Sequence, residues 1–141
     1  MARKVGMTSA VTTGALAGAM TLIRLVLVPF WRRSATSEFK PWFIENAPRL
    51  RALMVPLGAA AAATTTANAL IIRRRRAALA AASAVGVGVV TMAINEPLNA
   101  RFVGPDPVDP AELDRWIRWH DVRVALGLIA AWASAGTLRQ G

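Results

Sequence analysis

The sequence predicts an all-α protein: one integral-membrane domain built as a four-transmembrane-helix antiparallel bundle, with a short interfacial helix after the first span. Three observations carry this prediction. Apolar residues make up 55% of the chain, and they gather, chiefly as Ala, Leu and Val, into four blocks near the ~20 residues that a helix needs to cross a bilayer. Most Arg and Lys residues stand at the ends of those blocks, where charges set topology. A length of 141 residues leaves room for one domain and no second core.

Composition also excludes functions. The chain has no Cys and a single His, so disulfides, thiolate nucleophiles, Cys-ligated metals and a multi-His metal site within one chain are ruled out. No metal and no cofactor are expected. The net charge of +9 raises the question of phosphate binding. However, the cations end helices instead of lining one face, and no nucleic-acid motif interleaves them, so nucleic acid is not an expected partner. The lipid bilayer is.

The first predicted span covers residues 5–30 and carries one internal charge, Arg24. Its Arg3-Lys4 start and Ala17-Gly18-Ala19 stretch resemble a signal peptide, but the Thr-rich, weakly apolar region argues for a retained span. Ala10, Gly14 and Gly18 recur every four residues, a small-residue face that lets another helix approach closely in lipid. Pro29 is expected to end the helix. Residues 31–51 are polar around Phe39, Trp42 and Phe43, with Trp beside cations as the headgroup layer favours. They are read as the interfacial helix.

The second span covers residues 52–72, entered through Pro56 in a first turn where its missing N–H costs nothing. Thr64, Thr65, Thr66 and Asn68 are expected to hydrogen-bond to neighbouring helices. Arg73 to Arg76 form a turn that makes the second and third helices antiparallel neighbours. The third span covers residues 77–96 and ends at Pro97, which leaves carbonyls of the preceding turn for Asn95 and Asn99 to satisfy. After a Pro/Asp loop, Asp109-Pro110-Ala111-Glu112 is a helix start with Asp109 as N-cap, opening a fourth span over 110–138. The Arg turn places both termini on the cytoplasmic side, with the plasma membrane as the expected location.

Residues 95–123 concentrate the chemistry, holding the only His and most of the acidic residues. On a wheel of ~100° per residue, Trp116, Trp119, His120, Arg123 and Gly127 share one face, with Ala130, Ala131 and Ser134 further along it. Asp121 points away, toward Arg118. Opposite this face stand Asn95, Glu96 and Asn99 of the third helix and Arg24 of the first. Charges within spans turn inward and pair, so an ion pair from Arg24 or Arg123 to Glu96 is expected. Two readings remain open. The groups lock the helices together, or His120 is a general base tuned by Glu96, with Arg123 beside it and Trp116 and Trp119 as flat walls for a planar apolar ligand.

A proline-ended first helix, Ser37-Glu38-Phe39-Lys40-Pro41-Trp42-Phe43, Glu96-Pro97-Leu98-Asn99, and Trp116 with His120 and Arg123 together resemble the anthrone oxygenase-like family of small four-helix membrane proteins, much of it a domain of unknown function. The resemblance covers nearly the whole chain. It implies oxidation of a planar aromatic or quinol-like substrate by molecular oxygen with no evident metal or flavin. Asn99, Trp116, His120 and Arg123 match the family pattern, with His120 as the implied base and Arg123 as the implied stabiliser of a phenolate-like anion. The alternatives are a non-enzymatic bundle, acting as a small transporter subunit or binding a partner that includes a second copy of itself, and a haem protein using His120 as its one axial ligand.

Overall fold

The computed structural model describes residues 2–138. Four helices are long and apolar enough to cross a membrane: α1 (Ala2–Arg33), α2 (Thr36–Ile72), α3 (Arg75–Val103) and α4 (Pro110–Leu138). They form an antiparallel bundle in which each helix packs on its chain neighbours and α4 closes against α1. Both described ends of the chain and the Arg turn lie together, since Gly6 approaches Leu138 and Arg76 lies against Gly136.

The prolines do not end the helices as expected. Pro29 and Pro97 each follow a π turn, Ile23–Leu27 in α1 and Thr91–Asn95 in α3, and both helices continue beyond them to Arg33 and Val103. Each wide turn is closed by the N–H just before the proline, Val28 to the Ile23 carbonyl and Glu96 to the Thr91 carbonyl. A proline ring collides with the carbonyl four residues back in regular α geometry. A local i→i+5 turn accommodates it without breaking the helix.

The predicted interfacial helix is likewise not separate. It forms the first turns of α2, which runs through Pro41, Pro48 and Pro56 as one helix of 37 residues, or about 55 Å at 1.5 Å per residue. Phe39 and Phe43 are buried against the other helices. Together with Trp31, Phe102 and Trp116 they make an aromatic core at the end of the bundle away from the Arg turn, with Trp31 edge-on to Phe39 and to Trp116. Lys40 ties α2 to the loop before α4, donating to the Asp106 carbonyl at 2.6 Å.

At the other end the helices are joined by small and hydroxylated residues. Ser9 and Ser134 share a hydrogen bond of 3.0 Å between α1 and α4, Thr12 meets Thr64 at 2.9 Å, and Asn68 donates to Thr137, as expected for polar groups in apolar surroundings. Close approach of α1 and α4 is set by Gly127, where an added Cβ would lie 2.3 Å from the Met20 methyl and 3.5 Å from Ala17 Cα. The Ala10, Gly14 and Gly18 face takes no part in this: added Cβ atoms at Gly14 and Gly18 meet nothing within 4 Å. The helix start at α4 is as predicted, with the Ala111 N–H donating to Asp109 Oδ1 at 2.8 Å. Glu112 pairs with Arg101, 2.6 Å away.

Candidate functional site

Beneath the aromatic core lies a cavity of about 330 Å³ walled by all four helices, within the ~300–1,000 Å³ usual for small-molecule sites. Five of the eight residues singled out from sequence line it: Glu96, Asn99, Trp116, His120 and Arg123. The other three do not. Trp119 is 36% exposed; at ~60° from Trp116 on the side of the helix away from His120, it falls just outside the buried stripe. Asn95 is fully buried but acts behind the wall, its amide donating to the Trp116 carbonyl at 3.3 Å. Arg24 sits in the π turn of α1 and pairs with Asp121.

The expected ion pairs are therefore re-partnered. Glu96 pairs with Arg51 of α2, not with Arg24, and Asp121 pairs with Arg24, not with Arg118. Asn95 and Asn99 also do something other than cover the carbonyls before Pro97. Asn99 accepts from Trp116 Nε1 at 2.8 Å and donates to Glu96 at 3.1 Å. The two Asn side chains thus hold Trp116 by its backbone and by its indole, and that ring stacks on the His120 imidazole with centroids 4.9 Å apart and planes 15° apart.

His120 is the centre of the arrangement. It is fully buried, and its Nε2 lies 3.0 Å from the Met20 carbonyl oxygen. A carbonyl only accepts, so Nε2 carries the proton, and the neutral ring then leaves an unprotonated lone pair on Nδ1. That Nδ1 has no protein partner among the described residues. Arg123, 7% exposed and one turn further along α4, likewise has an unpartnered Nε, as does the buried Trp31 indole N–H. All three residues line the cavity. Buried polar atoms are nearly always satisfied, so three unpartnered ones on residues that line one cavity mark where an oxygen-bearing molecule would gain hydrogen bonds after a small shift of these side chains.

Sequence reasoning missed Trp31, Phe43 and Arg51. With α2 continuous, Phe43, Ala47, Arg51, Met54, Gly58 and Ala62 fall at intervals of three or four on the cavity face, a helical stripe hidden by dividing residues 31–51 from the span at 52–72. Among the described residues no group of three or more His, Asp or Glu side chains is placed to hold a metal ion. No family model matches the chain, and comparison with curated proteins and with solved structures gave no match.

Proposed function

We propose that this protein is a membrane enzyme that oxidises a planar aromatic or quinol-like substrate with molecular oxygen, using His120 as general base, in the manner of the anthrone oxygenase-like proteins whose motifs it resembles. The observation that carries the reading is the His120 ring, fixed by the Met20 carbonyl and the Trp116 face, in the wall of a small cavity with Nδ1 buried and unpartnered.

For an anthrone the steps are these. Nδ1 takes a proton from the methylene opposite the ketone, and the electron pair moves to the oxygen, giving an aryl oxide. Arg123 donates hydrogen bonds to that oxide, a stabilisation that grows as charge develops. The electron-rich anion passes one electron to dioxygen, and the carbon radical and superoxide combine to form a C–O bond. The peroxide takes back the proton from His120, then loses water as the second methylene hydrogen leaves. The sum is anthrone plus O₂ to anthraquinone plus water. Trp116 supplies a flat wall for the ring system, and Glu96 balances Arg123 across the cavity.

The test is oxygen uptake with anthrone by purified wild type and His120→Ala, with melting temperature recorded in parallel. Uptake that requires His120 while the variant stays folded supports the enzyme. Absence of uptake in both, with a much earlier melt of the variant, refutes it. A second reading, a partner-binding bundle, is favoured by the open Gly14 and Gly18 face. The grouping of the Arg turn with both described chain ends supports cytoplasmic termini in a plasma membrane under the positive-inside rule.

A further inference from the structure

We propose that the cavity takes its ligand sideways from the bilayer, through a portal between α2 and α3, and that this ligand is a membrane-dissolved molecule with an apolar body and a hydroxyl or oxo end. The inference narrows the substrate class of the site described above and rests on that site, but not on its turnover.

The portal follows from residues that line the cavity and yet face outward. Val55 of α2 is 51% exposed and Met92 of α3 is 67% exposed, and both border the same space as the buried His120. Both lie on helices long and apolar enough to cross a membrane, and the proposal sets their exposed sides against hydrocarbon. Gly58 and Gly88 stand at the same edges, and an added Cβ on either meets nothing within 4 Å, so the two helices leave a gap there. On α3 the edge runs from Gly88 to Glu96, about 12 Å of helix.

Polarity sorts the occupant. The mouth is apolar apart from Thr91, whose hydroxyl is tied to the Val87 carbonyl, and the Arg51–Glu96 pair at its outer end, so a charged water-soluble molecule entering there would lose its hydration with little in return. The inner wall has the opposite character, since His120 and Arg123 line it and keep Nδ1 and Nε buried and unpartnered. A molecule whose body is satisfied by lipid and whose single oxygen end needs partners fits both. Arg51 pairs with Glu96 across the outer end of the gap and holds α2 to α3 there, leaving the apolar stretch below as the way in.

The experiment uses the whole chain in phosphatidylcholine vesicles, photolabelled with a bilayer-resident phenol bearing an aryl diazirine and, separately, with its sulfonated water-soluble analogue. Labelled sites are read by peptide mass spectrometry. The expected result is labelling of the cavity residues Met54 and Trp116 by the phenol and not by the sulfonate. In the Gly58→Leu/Gly88→Leu double variant those inner labels are lost, while the outward-facing Leu25 is labelled as before. Because the chain has no Cys, Gly58→Cys capped with a bulky maleimide after purification plugs the mouth of an already folded protein and must give the same loss. Inner labels that survive both plugs, or that appear with the sulfonate, overturn the portal. Inner labelling lost on plugging, in a protein that consumes no oxygen with anthrone, sustains the portal and refutes the oxygenase.

Discussion

Gly127 couples the packing of the bundle to the geometry of His120, and its substitution has a calculable cost. Met20 serves both. Its carbonyl accepts from His120 Nε2, while its side-chain methyl fills the space beside Gly127. In Gly127→Ala the new Cβ would sit 2.3 Å from that methyl, the far end of an adaptable side chain, and alanine recovers about 1 kcal/mol of helix propensity. The alanine variant is expected to be close to neutral. Gly127→Val adds two methyls, and with Ala17 Cα only 3.5 Å from the Cβ position, α1 itself must move. Overpacking of this kind costs about 1–3 kcal/mol, or ~4–12 °C in melting temperature at about 4 °C per kcal/mol. Melts followed by far-ultraviolet circular dichroism in detergent, for wild type and both variants, provide the assay. A valine variant that melts with wild type would refute the close α1–α4 contact and with it the anchoring of His120.

Other outcomes follow from single contacts. Asn99→Leu leaves the indole N–H of Trp116 without its acceptor and is expected to cost about 1–3 kcal/mol, seen as a lower melting temperature and a change in Trp fluorescence. Lys40→Met removes the donor that holds the Asp106 carbonyl, so limited proteolysis within residues 104–109 should speed up while the bundle melts nearly unchanged. Gly14→Leu points into open space and should leave the melting temperature unaltered. If it changes the particle size in detergent, the outer face of α1 is an interface.

Much of this architecture is legible in the sequence because it depends on local rules. The N-cap Asp109 fixes the start of α4 at Pro110, and 3.6-residue periodicity puts Trp116, His120, Arg123 and Gly127 together without knowledge of any neighbour. What escapes is set by relations between helices. Whether Pro29 and Pro97 stop a helix depends on whether the preceding turn can widen, and nothing in the residue types of Ile23–Leu27 or Thr91–Asn95 announces that it does. Ion-pair partners depend on helix rotation and depth, so Glu96 meets Arg51 and Asp121 meets Arg24, although composition allows other pairings. Trp31 shows the same limit: it is surrounded by aromatic rings from two other helices, Phe39, Trp42 and Phe43 of α2 and Trp116 of α4, a contact no single stretch of sequence encodes.

The central proposal is that the unpartnered Nδ1 of His120 removes a proton from a bound carbon acid. It can be measured without oxygen, by following anaerobic exchange of the methylene protons of anthrone for deuterium in D₂O by NMR, with wild-type protein and with folded His120→Ala. The account requires exchange accelerated by the wild type and reduced to the buffer rate by the variant. Exchange that the wild type does not accelerate, or that survives loss of the imidazole, would contradict it.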